Sequence, residues 1–381
     1  MEKICIMRCH NYEYSQILSN VSALLEPLGG MSAFVKSGDS VLLKPNMLAG
    51  KKPEQAVTTH PMIVRVVADM VRDAGGKVLI GDSPGIGSFR SVAEKSGIAA
   101  AAKESGSELV EFDEAVELQS SGRFRRLSIA RAYWQADKII NLPKLKTHEM
   151  MTMTCAVKNL FGCVIGVEKA GWHLKAGTSR EQFARLLLEI FLIKKPVLNI
   201  VDGVVAMEGN GPGNGDPIQL GVVIAGINPV AVDVVAGKLA GIPPDLLYIE
   251  REAVRMKLPG SRLDEILIYG TPLEEVKGLH FRLPAGLDVQ FGLPKFLKNA
   301  LKKHITSFPV ASKKKCVLCG ICRDACPPAA ITTKNSTLSI DNARCIRCWC
   351  CRELCPHDAM EVRKGILLRL IRSFPARTHG R

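Results

Sequence analysis

The sequence contains no apolar run long enough to cross a bilayer as a helix, which takes about 20 residues. Its start, Met1-Glu2-Lys3-Ile4-Cys5-Ile6, has no basic leader, apolar middle or small-residue cleavage site, so no secretory signal is expected. Aromatic residues are scarce, at 5%. No helix-turn-helix, RNP or stacking pattern accompanies the net charge of +14, so no specific nucleic-acid partner is expected. No full G-x-G-x-x-G fingerprint and no Walker ending follow any glycine-containing loop, which leaves nucleotide, flavin and nicotinamide binding without their usual signatures. Thirteen cysteines without a secretory signal point to a reducing, cytoplasmic setting.

What is present is concentrated near the C-terminus. Eight cysteines form two copies of C-x2-C-x2-C-x3-C-P: Cys316, Cys319, Cys322 and Cys326 before Pro327, then Cys345, Cys348, Cys351 and Cys355 before Pro356. Two-residue gaps in a tight loop turn three soft thiolates inward, which suits an iron–sulfur core. Zinc sites are more often built from two CxxC pairs. The double run closely resembles a bacterial-type two-cluster 4Fe–4S ferredoxin domain. That resemblance implies crossed ligands, with Cys316, Cys319, Cys322 and Cys355 on one cluster and Cys345, Cys348, Cys351 and Cys326 on the other. Cys350 then falls between ligands as a bystander. Cys5, Cys9, Cys155 and Cys163 share no ligand spacing and are expected as buried thiols.

The positive charge is local. Residues 1–276 are balanced, and residues 277–381 carry the whole excess. Two oxidised clusters, each −2 with its thiolates, would bring that region to about +10. The expected organisation is an α/β domain over 1–276, a basic linker over 277–312, a ferredoxin domain over 313–363 and a basic amphipathic tail over 364–381. In the first domain, β-branched runs alternate with helical patterns, predicting a mostly parallel sheet with helices on both faces. Strands are expected at Ile4–Met7, Ser40–Lys44, Lys77–Gly81, Lys138–Asn141, Val197–Val201, Gly221–Ala225 and Ile266–Tyr269. Helices are expected around Ser15–Leu25, Pro61–Ala74, Phe89–Lys103, Glu181–Ile193 and Val230–Leu239. The C-terminal domain is expected to be a small α+β fold with strands at Ala330–Thr333 and Ala359–Arg363. A short amphipathic helix is expected at 296–303.

Parallel sheets bind ligands beyond the C-terminal ends of their strands, and four such ends here are unusually polar. They lead into Lys44-Pro45-Asn46, into Asp82-Ser83-Pro84-Gly85, into Leu142-Pro143-Lys144-Leu145-Lys146-Thr147-His148, and into Asp202-Gly203. Together with Thr59-His60-Pro61, Val157-Lys158-Asn159, Glu208-Gly209-Asn210-Gly211-Pro212 and Asn228-Pro229-Val230-Ala231-Val232-Asp233, these segments resemble the family known as domain of unknown function 362. The resemblance implies the layout of an α/β domain with an attached ferredoxin module, but no settled activity.

Lys144, Lys146 and His148 alternate, so an extended chain puts all three on one face, where a negative ligand would relieve their repulsion. Lys44, Asn46, Asp82, Lys144, Lys146, Lys158, Asn159 and Asn210 are therefore candidate substrate-binding residues. His148 and His60 are candidate proton donors, and Glu208 and Asp216 candidate bases on a glycine-rich loop. The leading expectation is an iron–sulfur oxidoreductase passing electrons from two 4Fe–4S clusters to an anionic small molecule, with an acidic redox protein as partner. The alternative is a non-enzymatic electron carrier or cofactor-assembly factor that docks a protein client. Peripheral membrane contact through residues 366–374 is the less favoured third reading.

Overall fold

The computed structural model describes residues 1–166, 168–176, 179–276, 280–284, 307–334 and 336–364. The expected helix at 296–303 and the tail beyond residue 364 lie outside the described residues. The chain forms two compact units, Met1–Leu283 and Pro284–Arg381.

In the first unit, the strands are β1 (Glu2–Arg8), β2 (Ser40–Pro45), β3 (Lys77–Asp82), β4 (Glu108–Glu111), β5 (Ala115–Gln119) and β6 (Arg126–Ala130). They continue with β7 (Lys138–Leu142), β8 (Lys144–His148), β9 (Thr152–Thr154), β10 (Leu198–Glu208), β11 (Asp216–Gly226) and β12 (Ile266–Gly270). The main sheet runs in the order β12-β1-β11-β10-β7-β2-β3-β4, with β8 and β9 attached beside β10, while β5 and β6 pair separately. Along that path only β11 opposes its neighbours; the other pairings are parallel. The expected mostly parallel α/β fold is the one found.

Strand alternation builds a core on each face of the sheet. On β1, Cys5 joins one apolar cluster while Ile4 and Ile6 join the other; on β11, Val223 and Ala225 part in the same way from Val222 and Ile224. The first face is covered by helices Tyr14–Leu25 and Pro61–Asp73, through Ile17, Val21 and Leu24 and through Ile63, Val64 and Val67. Helix Pro229–Leu239 covers the second through Val232, Val235 and Leu239. Helix Pro61–Asp73 starts where it does because Pro61 suits the first turn and the His60 ring accepts the Met62 N–H.

Two expectations need correction. The helix read over 89–103 is two helices, Phe89–Lys95 and Ile98–Glu104, parted at Gly97 with φ +78°. The strand read as ending at Val201 continues to Glu208, so Asp202 lies within a strand rather than in an exit loop. A bulge follows between Gly203 and Val205.

In the second unit, β13 (Ser307–Ala311) pairs antiparallel with β16 (Met360–Lys364), and β14 (Ile331–Lys334) with β15 (Thr337–Ile340). Ser307–Ala311, read from sequence as the end of the linker, is therefore a strand. The internal duplication is visible in the backbone. Leu318, Gly320 and Ala329 have positive φ, and so do Arg347, Trp349 and Asp358 at one constant offset. Gly320 and Trp349 each precede a one-turn helix, Ile321–Asp324 and Cys350–Glu353.

Candidate functional site

Beyond β7 the chain turns at Pro143 and continues as β8, so one extended stretch runs alongside β10. This register sets Lys144 opposite Asp202. Lys144 Nζ donates to Asp202 Oδ2 at 2.8 Å and to the Tyr12 hydroxyl at 3.0 Å. Tyr12 donates to Asp202 Oδ1 at 2.7 Å, and the His60 N–H donates to Oδ2 at 2.8 Å. The Tyr12 and His60 rings stack with centroids 3.5 Å apart. Burial pulls the Lys144 ammonium below its ordinary range, and Asp202 pulls the other way.

A second buried pair sits at the ends of β2 and β3. Lys44 Nζ donates to Asp82 Oδ1 at 2.7 Å, and Asp82 Oδ2 accepts the Met47 N–H at 2.8 Å. Gly162 closes over this pair. A Cβ there would lie 2.0 Å from Asp82 Oδ1 and 2.5 Å from Lys44 Nζ, so no larger residue fits without displacing them. In the loop after Asp82, the Gly85 and Ile86 N–H groups both donate to the Leu48 carbonyl.

Between the two pairs runs a row of amides. Lys146 Nζ donates to Asn46 Oδ1 at 2.7 Å and to the Val57 carbonyl at 2.6 Å. Asn46 bonds Asn159 at 2.9 Å, Asn159 bonds Asn141 at 2.8 Å, and Asn141 bonds Asn199 at 2.8 Å. Asn199 reaches the Gly226 and Ile227 carbonyls. The structure thus brings Lys44, Asn46, Asp82, Lys144, Lys146 and Asn159 together. It also shows that the three lysines, each at most 1% exposed, have partners inside the chain. The negative group expected to relieve the lysines is, for Lys144, Asp202 of the chain itself.

Beside this network lies a basic cluster. His148 is fully buried, and its Nδ1 accepts the Met150 and Met151 N–H groups, which assigns its proton to Nε2. Burial holds His148 well below the usual histidine range, and Lys158, His173, Lys146 and Arg180 push the same way. His173 stacks on Phe183, meets Phe161 edge-on and is lowered to about 3, by burial first and then by Lys158. His60 is lowered to about 4, chiefly by burial, against the pull of Asp202. Lys169, which donates to the Ser83 carbonyl, is lowered to about 8, again chiefly by burial. Lys158 is half-buried on the short helix Ala156–Asn159, whose first N–H groups are held by Asp233.

The proposed bases sit differently. Glu208 and Asp216 face each other across the β10–β11 hairpin, and both bind Arg282, at 2.6 and 2.9 Å. Thr147 donates to the Gly209 carbonyl, docking the hairpin turn that carries Asn210 onto β8. Tyr12, Asp202, Asn141, Asn199, Lys169, His173 and Arg180 were absent from the sequence-derived set. Asp202 stood at a polar strand exit and Asn141 ended a predicted strand, but neither had a role assigned; Tyr12 and His173 left no local signal.

In the second unit the cysteines form two quartets. One cavity is lined by Cys316, Cys319, Cys322 and Cys355, the other by Cys326, Cys345, Cys348 and Cys351. The Cys322 thiol is pushed up to about 11, by burial first and then by Cys355, Cys316 and Cys319. Burial likewise raises Cys326, reinforced by Cys348 and Cys345. The fourth cysteine of each run accepts a backbone N–H, Ala330 to Cys326 and Ala359 to Cys355, both at 3.2 Å. Soft thiols gathered in fours, with N–H donors on sulfur, fit cubane iron–sulfur cores. Cys350 lines neither cavity, and its thiol adjoins that of Cys348.

A doubly covered, mostly parallel sheet joined to a 4Fe–4S binding domain defines an iron–sulfur protein of α/β type. The chain belongs to the DUF362 family, a domain of unknown function whose family model matches residues 41–238; the 4Fe–4S binding-domain model matches residues 309–332. It is 38% identical over 317 residues to a thylakoid-associated protein of Synechocystis sp., covering 81% of this chain and 96% of that one. Two solved structures resemble it in shape alone. The lactate racemase apoprotein of Thermoanaerobacterium thermosaccharolyticum is 11% identical at TM-score 0.43, over 64% of this chain and 58% of that one. A Thermotoga maritima protein is 14% identical at TM-score 0.36, over 58% and 57%. Among the described residues no helix is long and apolar enough to cross a membrane.

Two outcomes test the buried network. Lys44→Met leaves Asp82 buried without its cation and is expected to cost about 3–5 kcal/mol in urea unfolding. Lys44→Met with Asp82→Leu should recover much of that loss, and a neutral single variant would show that the pair is not structural. Because His173 takes its proton only near pH 3 when folded, against about 6.5 unfolded, the unfolded chain gains protons first as pH falls. Stability therefore drops through that window, by at most about 1.4 kcal/mol per pH unit for this group. His173→Phe should lose less stability between pH 7.5 and pH 5 than the unaltered protein; equal losses would contradict the assignment.

Proposed function

We propose that this protein is an iron–sulfur oxidoreductase in which two 4Fe–4S clusters exchange electrons with an anionic small molecule bound at the strand-end rim of the α/β unit. The observation that carries the reading is the environment of His148. Burial acts most strongly on its charge, and the charged groups that reinforce it, Lys158, Lys146 and Arg180, are basic, with His173 beside them held neutral. Such a region, walled by apolar residues, concentrates positive potential and favours an anion. Lys44, Lys144 and Lys146 shape the rim through their partners in the chain, Lys169 is held by the Ser83 and Pro84 carbonyls, and the half-buried Lys158 is the lysine we assign to the ligand. Clusters supply electrons singly and no protons, so reduction needs a donor. Burial holds His148 and His60 neutral, so with Nδ1 engaged and the proton on Nε2 they suit hydrogen bonding to the ligand, and the proton itself is drawn from solvent. Glu208 and Asp216 are not assigned as bases, since Arg282 occupies both.

A second reading, a carrier that docks a protein, is favoured by one feature. Val317 is 61% and Leu318 is 38% exposed beside exposed Cys319, and Lys313, Lys314 and Lys315 adjoin them. A redox partner with acidic residues around an apolar contact would suit that surface. Cysteine usage supports a reducing, cytoplasmic compartment.

Anaerobically purified protein is expected to carry about eight irons per chain in two cubanes. Cys355→Ala should abolish the cluster held by Cys316, Cys319 and Cys322, with the other signal retained in electron paramagnetic resonance. Loss confined to the cluster of Cys345, Cys348 and Cys351 would exclude crossed ligation. In a thermal-shift screen of small carboxylates and phosphates, at least one anion should stabilise the protein, and Lys158→Ala should weaken its binding about ten- to a hundredfold. Equal responses of both proteins to every anion would favour the docking reading instead.

A further inference from the structure

The α/β unit also contains a cavity of about 640 Å³ that the rim chemistry does not use. That volume falls within the range of small-molecule sites, about 300–1,000 Å³. Its apolar wall forms where helix Pro229–Leu239 ends and the chain turns toward helix Tyr248–Arg255, with Leu239, Ile242 and Leu247 each at most 5% exposed. Leu263, 39% exposed, carries the wall out to the surface. The mouth is basic. Lys238 comes from the last turn of the first helix and Arg262 from the connection before β12. His280 comes from a segment anchored by the Phe281 N–H, which donates to the Ala240 carbonyl at 3.0 Å. All three side chains are exposed, and none makes a hydrogen bond or ion pair among the described residues. In this they differ from Lys44 and Lys144, whose charges are met inside the chain.

We propose that this cavity binds an amphipathic anion, a carboxylate whose apolar body lies along the wall while its charged end stays at the mouth among Lys238, Arg262 and His280. The two parts of the lining call for the two parts of the ligand. An apolar body displaces water from Leu263 and from the side chains below it. At the mouth, Arg262 offers a planar fork of N–H donors, Lys238 a point charge and His280 a ring N–H. A carboxylate held there keeps contact with water, so it escapes most of the cost of burying a charge. Glu250 is the acidic residue of the lining. Counted as fully ionised, it offsets one of the two fixed cations and leaves the lining positive. A cationic ligand would meet both of those like charges. A neutral apolar molecule would leave them unused, and a small inorganic anion would leave the wall uncovered. None of the residues assigned to the strand-end rim lines this cavity, so the two sites are independent.

Para-benzoylbenzoate, a carboxylate on an apolar diaryl ketone that couples to nearby C–H bonds on illumination, is the probe for the full-length protein. Mass spectrometry should locate the photoadduct on peptides containing Leu239, Ile242, Leu247 or Leu263. Decanoate, kept below its micelle concentration, should suppress the labelling. Decanol has the chain without the charge, and acetate the charge without the chain; each should compete about tenfold less well or worse. Lys238→Met combined with Arg262→Met removes both fixed cations and keeps apolar stems in their place. That variant should bind decanoate about tenfold more weakly and no better than decanol. Lys238→Arg combined with Arg262→Lys retains both charges and should retain the preference for decanoate. Adducts elsewhere, decanol or acetate competing as well as decanoate, or an unchanged preference in the double methionine variant would overturn the proposal. The three competitors are compared on the unaltered protein, so that arm decides whether or not a variant folds.

Discussion

The ion pair between Lys144 and Asp202 joins four parts of the chain that are far apart in sequence. Asp202 belongs to β10 and Lys144 to β8; Tyr12 comes from the connection after β1, and the His60 N–H from the start of helix Pro61–Asp73. Removing both charges from water is expensive, and their mutual attraction offsets that cost only when the remaining lone pairs are filled. Here Tyr12 and His60 fill them. The placement of that helix, the stacking of Tyr12 on His60 and the course of β8 along β10 all follow from satisfying this one pair. The Lys44–Asp82 pair repeats the solution at the ends of β2 and β3, and Gly162 shows how tightly the chain has closed around it.

Much of the fold could be read from the chain because the information was local. Val41, Leu42 and Leu43, or Val222 through Ala225, form apolar runs that only a doubly covered strand tolerates. Proline and the His60 ring mark a helix start by chemistry confined to a few residues. The misreadings were also physical. Gly97 breaks a helix that composition alone would continue. β10 outlasts its apolar run because Asp202, a polar residue inside a strand, is neutralised from another segment. The lysines looked unpaired because their partners lie dozens of residues away: 38 positions separate Lys44 from Asp82, and 58 separate Lys144 from Asp202. Position along a strand showed that they would gather. It could not show what each would touch.

The ferredoxin-type unit was more legible, since a ligand run encodes its own geometry. Even there, the structure adds a constraint that the spacing hides. Gly320 takes a left-handed conformation in the first copy, and Trp349 takes it in the second while only 2% exposed. A tryptophan held at that φ bears a backbone cost of roughly 1–2 kcal/mol, which burial of its large ring offsets. The two copies share a backbone but differ in surroundings. Cys319 is exposed, whereas its counterpart Cys348 is buried, so the two quartets sit in different dielectric environments, one lever on reduction potential.

The amide row has a direction. An ammonium can only donate, which fixes Asn46 with its oxygen toward Lys146; backbone carbonyls can only accept, which fixes Asn199 with its nitrogen toward Gly226 and Ile227. Asn159 and Asn141 must then follow the same sense, each passing an N–H to the next oxygen. Turning any one amide would set oxygen against oxygen on one side and N–H against N–H on the other. The polarity of all four side chains is thus dictated from both ends. Within this row an aspartate would lack the donor and a leucine would lack both functions, so the carboxamide is required for its two-sidedness rather than for its size.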